Sequence, residues 1–187
     1  ILVNLSQAKE SDILLDPFCG SATILQEALL MGIKVIGMDN DAKSIYYAKK
    51  NLNWLKNNYK FSQDFTLINK DAASASSYIE KADAVATEPY LGPYLKSLPS
   101  LREAERTAIE LSHLYLKMLS ELKVIMKNGK VAIVIPKFKT REQIPVSIDF
   151  ARLAKNAGFR AYNPFGPIKI PVLYSPRGTK LDREIYI

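Results

Sequence analysis

The sequence predicts an α/β domain with a mostly parallel, seven-stranded sheet and helices on both of its faces. Short apolar runs rich in β-branched residues alternate with segments whose apolar residues recur at helical spacing, which is typical of a layered βα fold. Most of these runs are apolar at every position, as expected of strands buried on both faces. The 187 residues are enough for one such domain, so we treat residues 1–187 as a single unit.

The predicted strands cover residues 13–15, 35–38, 65–68, 84–86, 131–135, 159–162 and 184–187. Prolines and glycines interrupt residues 164–178, between the last two of these strands. This segment predicts an extended loop or a hairpin, because proline breaks both helices and sheet ladders.

Four helices are predicted between the strands. The first follows Ser21 and ends before Gly32, and Thr23 and Gln26 within it have the spacing of a capping box. The second begins after Asp41, a residue type that caps helix N-termini. Its apolar face is expected to carry Ile45, Ala48, Leu52 and Leu55.

The longest predicted helix begins at Ser100, which forms a capping-box pattern with Glu103, and ends at Asn128-Gly129. The fourth predicted helix covers residues 146–156. The apolar positions expected along the longest helix include Ile109, Leu116, Leu119 and Ile125.

The composition excludes several classes of protein. With 48% hydrophobic and 24% charged residues, the chain is neither disordered nor collagen-like, and no apolar run approaches the roughly 20 residues that span a bilayer. The single cysteine, Cys19, cannot form an internal disulfide, and no secretory leader precedes the first predicted strand. We therefore expect a cytoplasmic protein without a membrane partner.

The positive charge is concentrated in the second half of the chain. The formal net charge is +7, but residues 1–93 carry 9 Lys and Arg against 11 Asp and Glu, whereas residues 94–187 carry 17 against 8. A basic surface favours anionic partners such as nucleic acid, although a solvated basic surface explains the charge equally well.

Three acidic residues follow successive predicted strands. Asp16 opens a turn that reaches Thr23, and the small residues of this turn let a ligand approach the backbone closely. The helix that follows the turn offers the free N–H groups of its N-terminus to an anion. Asp39 stands where nucleotide-binding βαβ units place the acid that binds ribose hydroxyls, and Asp71 follows the third strand. Ligands bind at the carboxyl ends of parallel strands, so these acids predict a site for an adenosine-containing cofactor. The alternative is an ordinary tight turn capped by Ser21.

These segments resemble the motifs of a known superfamily. The S-adenosylmethionine-dependent amino-methyltransferases have motifs similar to Asp16-Pro17-Phe18-Cys19-Gly20-Ser21-Ala22-Thr23, Gly37-Met38-Asp39, Asp71-Ala72 and Thr87-Glu88-Pro89-Tyr90. Within it, the chain most resembles the RNA guanosine N2-methyltransferase group, whose tRNA members usually carry an N-terminal RNA-binding THUMP domain. The resemblance implies a Rossmann-like class I methyltransferase fold, a catalytic domain over residues 1–187, and S-adenosylmethionine as the cofactor.

The resemblance also implies roles for individual residues. The backbone from Asp16 to Ser21 would hold the methionine part of the cofactor, Asp39 its ribose hydroxyls and Asp71 the exocyclic amine of its adenine. The full cofactor-binding set is Asp16, Phe18, Gly20, Ser21, Asp39, Asn40, Asp71 and Ala72.

The active-site motif departs from the Asp- or Asn-Pro-Pro-Tyr that is usual in the superfamily. Here the fourth strand continues into Thr87-Glu88-Pro89-Tyr90. In one alignment, Glu88 takes the place of the acid and Leu91 takes the place of the aromatic residue. In the other, Glu88 takes the place of the first proline and Tyr90 takes the place of the aromatic residue. We interpret Glu88, Pro89 and Tyr90 as catalytic, with Glu88 as the polar group and Tyr90 as the stacking ring.

An exocyclic base amine is a poor nucleophile, because its lone pair is delocalised into the ring. Hydrogen bonds from the amine to Glu88 and to a nearby backbone carbonyl would orient the lone pair and stabilise positive charge in the transition state. The base must first leave its stack, and Tyr90, or Tyr94 as its substitute, would supply the ring on which it then lies.

Three basic residues follow the fifth predicted strand at the same sheet edge as Glu88. They are candidates for contacts to nucleic-acid phosphates, although a solvated charge run is an equally good interpretation. Together with Tyr94, the predicted substrate-binding residues are Lys137, Lys139 and Arg141. No Cys or His pattern suggests a metal site.

The sequence thus predicts methyl transfer from S-adenosylmethionine to an exocyclic amine of a nucleic-acid base, with guanine N2 in tRNA preferred. A DNA adenine-N6 or cytosine-N4 methyltransferase is the closest alternative, and a catalytically inactive RNA-binding subunit is another. Asn4-Leu5-Ser6 resembles the end of a segment that precedes the first motif in relatives. We therefore expect an N-terminal extension that holds an RNA-binding module or meets a partner protein.

Overall fold

A central sheet with strand order β3-β2-β1-β4-β5-β8-β7 organises the computed structural model, which describes residues 1–59, 61, 63–163, 166, 170–175 and 178–187. The five strands from β3 to β5 are parallel, β8 is antiparallel to β5, and β7 is antiparallel to β8. The strands are β1 (Ile13–Asp16), β2 (Lys34–Asp39), β3 (Phe65–Asn69), β4 (Ala84–Thr87), β5 (Lys130–Phe138), β6 (Val146–Ser147), β7 (Val172–Tyr174) and β8 (Leu181–Tyr186).

Helices cover both faces of this sheet. They are α1 (Leu2–Ser6), α2 (Thr23–Leu30), α3 (Ala42–Asn58), a short 3-10 helix (Ala72–Ser77), α4 (Leu101–Ile125) and α5 (Phe150–Asn156). One core cluster joins the sheet to α4, α5 and the 3-10 helix, and a second joins it to α1, α2 and α3. Neighbouring residues of one strand point to opposite faces, so Leu14 lies in the second cluster and Leu15 in the first. The predicted fold class is confirmed.

The strand prediction was wrong for residues 146–147 and for residues 159–162. Seven strands form the continuous order, and the two-residue β6 adds an eighth, antiparallel to β5. Residues 159–162, predicted as a strand, form no ladder; Phe159 instead packs against the core beside α4 and α5. The remaining strand, β7, lies within the proline-rich segment and forms a hairpin with β8, in agreement with the hairpin alternative for that segment. Pro164, Pro167 and Pro176 of that segment lie outside the described residues.

The predicted N-terminal caps of two helices are confirmed. The Asp41 side chain accepts hydrogen bonds from the backbone N–H groups of Lys43 and Ser44 at the start of α3. Ser100 and Glu103 form the predicted reciprocal capping box at the start of α4. These caps satisfy N–H groups that a helix N-terminus would otherwise leave unpaired.

Other helix predictions need correction. Thr23 is already inside α2, so it cannot form the predicted capping box with Gln26. In α4, Ile109 is 60% exposed rather than part of the apolar face, and the helix ends at Ile125, three residues before the predicted end. α5 begins only after its N-cap Asp149, because the two residues of β6 pair with β5.

Among the helices of the described ranges, none is both long enough and apolar enough to cross a bilayer.

Candidate functional site

The parallel strands bring the predicted acids to one edge of the sheet. β1 ends at Asp16 and β2 at Asp39, while Asp71 follows β3 by two residues. Asp71 accepts a hydrogen bond from the backbone N–H of Ala73 at 2.8 Å and so begins the 3-10 helix. Glu88 follows the end of β4 directly. The four carboxyl groups therefore belong to the carboxyl ends of adjacent strands, where open α/β sheets bind ligands.

Asp16 lies buried beneath this edge. Its Oδ1 accepts hydrogen bonds from the Thr87 hydroxyl at 2.7 Å and from the Phe18 backbone N–H at 3.1 Å. Burial raises the pKa of Asp16 to about 7; the two hydrogen bonds oppose that shift, and the nearby charges of Asp39 and Glu88 add to it. Asp16 thus joins β1 to β4 and supports the loop of residues 17–22, which connects β1 to α2.

Asp39 fastens that loop to the end of β2. Its Oδ2 accepts from the Gly20 backbone N–H and its Oδ1 from the Asp41 backbone N–H, both at 2.9 Å. The Cys19 N–H donates to the Met38 carbonyl, also at 2.9 Å. Each carboxylate oxygen has two lone pairs, so Asp39 can still accept further hydrogen bonds.

Close packing below the loop depends on Gly37. A Cβ at this position would lie 2.5 Å from Leu25 Cδ1 and 2.9 Å from Leu67 Cδ2, so any other residue would force these leucine side chains to shift. Cys19 is buried in the same region, and burial raises the pKa of its thiol above the usual value for cysteine. A buried thiol with a raised pKa is a poor nucleophile, so Cys19 acts here as a small buried side chain.

Helix α2 begins without a side-chain cap. Its N-cap residue is Ala22, in the left-handed conformation at φ 74°, so the expected alternative of a turn capped by Ser21 is wrong. Ser21 is exposed, and its carbonyl accepts a hydrogen bond from the Asn51 side chain at 2.9 Å. The first N–H groups of α2 therefore remain available to an anionic group.

A cleft of about 310 Å³ opens beside the loop. Five of the predicted site residues line it, from four different segments of the chain: Phe18, Asn40, Asp71, Ala72 and Tyr90. Pro17 and Leu114 complete the lining. Leu114 belongs to α4 and was not predicted, because one leucine of a long amphipathic helix carries no signal that distinguishes a cleft from the core.

The segment after β4 is held by two residues that the sequence did not reveal. Arg183 on β8 donates from Nε to Glu88 Oε1 at 3.0 Å, across a sequence separation of 95 residues. The buried Tyr115 of α4 donates its hydroxyl to the Tyr90 carbonyl at 2.7 Å. Pro89 between them is buried. Glu88 and the Tyr90 backbone are thus fixed from two sides.

The two candidate aromatic rings occupy different places. Tyr90 is 55% exposed and lines the cleft. Tyr94 is 88% exposed and lines a neighbouring groove of about 380 Å³, between residues 91–95 and residues 178–183. Arg183 also lines this groove, so the groove and the cleft meet the Glu88 segment from different directions.

The three predicted phosphate contacts each have a carboxylate partner within the chain. The nitrogen–oxygen distances are 3.5 Å for Lys137 and Glu184, 2.8 Å for Lys139 and Asp182, and 3.1 Å for Arg141 and Glu103. A phosphate would compete with these carboxylates. Phosphate binding by the three cations stays a prediction.

Comparison with protein families now tests the resemblance. Residues 1–156 match the UPF0020 family, described as an RMKL-like methyltransferase domain. The chain belongs to this family. UPF0020 membership confirms the resemblance to methyltransferases, and the carboxyl-edge cleft lies within the matched residues.

Curated relatives of this UPF0020 chain include three archaeal proteins named tRNA (guanine(10)-N2)-dimethyltransferase. Their identities are 42% over 91 residues (Methanothermobacter thermautotrophicus), 34% over 149 residues (Methanocaldococcus jannaschii) and 30% over 188 residues (Pyrococcus abyssi). The matches cover 49%, 73% and 100% of this chain. They cover only 25%, 36% and 46% of the relatives, so the chain spans less than half of their length.

Solved structures confirm the fold of the UPF0020 domain. A SAM-dependent methyltransferase from Methanosarcina mazei superimposes with a TM-score of 0.65 at 15% identity, over 99% of this chain and 94% of that one. Magnesium protoporphyrin IX methyltransferase from Synechocystis, solved with bound SAM, gives 0.60 at 16% identity, over 99% and 73%. The predicted Rossmann-like methyltransferase fold is therefore correct.

Proposed function

We propose that this UPF0020 domain binds S-adenosylmethionine in the cleft at the carboxyl edge and transfers its methyl group to guanine N2 in tRNA. The observation that carries the proposal is the convergence of five predicted site residues on one cleft, with Glu88 at the end of β4 beside it. The names of the archaeal relatives favour tRNA and guanine N2 among the exocyclic amines.

The residues present fit this cofactor. A Cβ on Gly20 would meet no heavy atom within 4 Å, which leaves open space above the loop for the methionine part. The uncapped N-terminus of α2 offers N–H groups to a carboxylate. Asp39 keeps acceptor sites for ribose hydroxyls, and Asp71, exposed on the cleft, supplies an acceptor for the adenine amine. When bound, S-adenosylmethionine supplies a methyl group on a positively charged sulfur.

Glu88 is the acceptor we propose for the target amine. Arg183 occupies Glu88 Oε1, while Oε2 makes no hydrogen bond to the described part of the chain. An amine hydrogen bonded to Oε2 would turn the nitrogen lone pair out of the base plane and towards the methyl donor. As the nitrogen attacks, positive charge grows on it, and the carboxylate stabilises that charge. The proton that the alkylated nitrogen releases can pass to Glu88 or to water.

Tyr90 is the ring against which the target base would stack. A base that has left its helix keeps part of its stacking energy when it lies on an aromatic side chain. Tyr90 suits this role because its ring lines the cleft while Tyr115 fixes its backbone carbonyl. We propose in addition that RNA is also bound by a module outside residues 1–187, since the relatives are more than twice as long as the region they share with this chain.

The proposal is tested by transfer of labelled methyl groups to an unmodified tRNA transcript and to a DNA duplex of the same sequence, catalysed by the full-length protein. Transfer to the tRNA alone is expected. Glu88→Gln keeps the size of the side chain but loses its charge, so we expect kcat to fall by more than about tenfold while the KM for S-adenosylmethionine stays within about twofold.

Glu80→Gln is the matched control, because Glu80 is exposed and precedes β4. Its activity should equal that of the unaltered protein. Transfer to the DNA duplex would favour the DNA methyltransferase alternative, and binding of tRNA without any transfer would favour an inactive subunit. A Glu88→Gln variant that loses cofactor binding as well would show that Glu88 is structural.

A further inference from the structure

The outward face of α3 combines positive charge with exposed aromatic rings. Helix α3 contains four lysines and no Asp or Glu, although the half of the chain to which it belongs has a net negative charge. Three of its aromatic side chains are about half exposed: Tyr46 at 56%, Tyr47 at 46% and Trp54 at 57%. Trp54 also meets the Tyr59 ring edge to face, with centroids 6.1 Å apart, yet more than half of Trp54 stays exposed.

Helical geometry arranges these residues in a stripe. Lys43, Tyr47, Lys50 and Trp54 follow one another at spacings of four, three and four residues, which places neighbouring side chains together on one face. The stripe is about 16 Å long at 1.5 Å per residue. The opposite face carries the buried residues of the helix, Ala48, Leu52 and Leu55, so the stripe points away from the core.

The contacts within the stripe leave its charge largely unneutralised. The rings of Tyr46 and Tyr47 meet edge to face with centroids 5.4 Å apart, and Lys50 Nζ lies 4.9 Å from the centre of the Tyr46 ring. Lys56 pairs with Asp64 at 3.0 Å. Across the described ranges, the other three lysines of α3 form no ion pair: Lys43, Lys49 and Lys50.

We propose that this stripe of α3 is an RNA-binding surface. Lysines neutralise phosphates, and exposed aromatic rings stack on unpaired bases of RNA loops and ends. A protein partner fits less well, because lysine is depleted from the cores of protein–protein interfaces.

The position of α3 allows one RNA to reach both the stripe and the cleft. Asn40 lines the cleft, and Lys43, the first residue of the stripe, follows three residues later. The inference rests on the proposed function only for the choice of RNA as the ligand, and it requires no methyl transfer.

The test measures binding of the full-length protein to a fluorescein-labelled, unmodified tRNA transcript by fluorescence anisotropy, over a range of KCl concentrations. The double variant Lys43→Glu/Lys50→Glu should bind at least about tenfold more weakly at low salt. Its plot of log affinity against log salt should be shallower by about 1.5, because each lost phosphate contact removes about 0.7 to 0.9 from the slope. Trp54→Ala should lose about fivefold at every salt concentration with an unchanged slope.

Lys117→Glu/Lys127→Glu is the matched control, with the same change of net charge at two exposed lysines on α4 and just after it. It should lose far less affinity. Circular dichroism and melting temperature should show all variants folded, since every replaced side chain is exposed.

Unaltered tRNA affinity and salt slope in Lys43→Glu/Lys50→Glu would overturn the proposal, as would an equal loss in the control. A change of oligomeric state with unaltered tRNA affinity would assign the stripe to a second copy of the chain and overturn it too. Weakened binding in a protein that transfers no methyl group would support the stripe and contradict the proposed function.

Discussion

Asp16 carries a buried carboxyl group whose charge changes near neutral pH. Its pKa is about 7 in the folded protein against a usual 3.8, mainly because of burial. The folded state therefore keeps a proton that the unfolded state releases, so the stability supplied by protonated Asp16 is complete below about pH 4 and is lost as pH rises through 7. This carboxyl group should make the protein less stable at alkaline pH.

Asp16→Asn should remove this dependence, since asparagine can still accept from Thr87 and Phe18 through its side-chain oxygen. We expect the unfolding free energy of the unaltered protein, relative to that of the variant, to fall by roughly 2–3 kcal/mol between pH 5 and pH 8. Urea unfolding at a series of pH values measures this. Parallel stability curves for the two proteins would contradict it.

Asp39→Asn tests the ribose assignment. The substitution removes the charge that strengthens hydrogen bonds to ribose hydroxyls, so calorimetry should show S-adenosylmethionine binding weakened by about 10- to 100-fold. Asp41→Asn is the control, because asparagine caps helices as well as aspartate does and α3 should stay intact. Equal affinities in the two variants would refute the assignment.

Arg183 is expected to act as a positioning residue through Glu88. Arg183→Met removes the 3.0 Å ion pair, so Glu88 should sample more orientations and kcat should fall by about tenfold, with the KM for S-adenosylmethionine unchanged. Arg183→Lys should recover part of the loss. A kcat that stays normal in Arg183→Met would show that the ion pair has no part in catalysis, and a rise in KM alone would point to a binding role.

At the scale of elements, the capping box of α4 offers a direct measure of local stability. The Ser100 hydroxyl accepts from the Glu103 backbone N–H, and the Glu103 carboxylate accepts from both the N–H and the hydroxyl of Ser100. These bonds lower the pKa of Glu103 to about 2, with a smaller contribution from Arg141. The cap fixes the start of a 25-residue helix that packs against the sheet.

Ser100→Ala should lower the unfolding free energy by about 1 kcal/mol. Ser120→Ala is the comparison within the same helix, because Ser120 is exposed and bonds only to the Leu116 carbonyl, so alanine there should be neutral or slightly stabilising. Chemical denaturation of both variants measures the difference. A loss as large at Ser120 as at Ser100 would contradict the role of the cap.

The elements that could be predicted are those whose signals are local. The Asp41 cap of α3 and the Ser100 cap of α4 depend on residues within one helical turn, and both were correct. A hairpin was one of two predictions for the segment that holds β7, but the residues of β7 could not be located, since they become a strand only by pairing with β8. Residues 159–162 misled the prediction because an apolar run signals burial, which a strand shares with an irregular segment packed on the core.

The functional site shows the same difference between features with a local sequence signal and features that depend on contacts between distant residues. The acids at the strand ends were predictable, because parallel strands bring their carboxyl ends together. The contacts of Arg183 with Glu88 and of Tyr115 with Tyr90 were not, since each joins residues far apart in the chain through side-chain geometry alone. Such contacts follow from the fold and leave no pattern in the sequence.

At the scale of the whole molecule, the structure redistributes the charge that the sequence separates into two halves. Three cations of the basic second half, Lys137, Lys139 and Arg141, pair with acids of the same half, so the excess positive charge of that half lies on other side chains. The first half, near neutral in sum, presents the lysine-bearing face of α3 instead. We propose that an anionic substrate binds along α3 and the carboxyl edge, which the net charge of each half does not indicate.

The most direct test of the central claim is mass spectrometry of nucleosides from tRNA that the full-length protein has treated with S-adenosylmethionine. We expect N2-methylated guanosine with the unaltered protein, and little or none with Glu88→Gln at the same protein concentration. Methyl groups on adenine or cytosine, or no new methylated nucleoside from tRNA that the protein demonstrably binds together with S-adenosylmethionine, would contradict it.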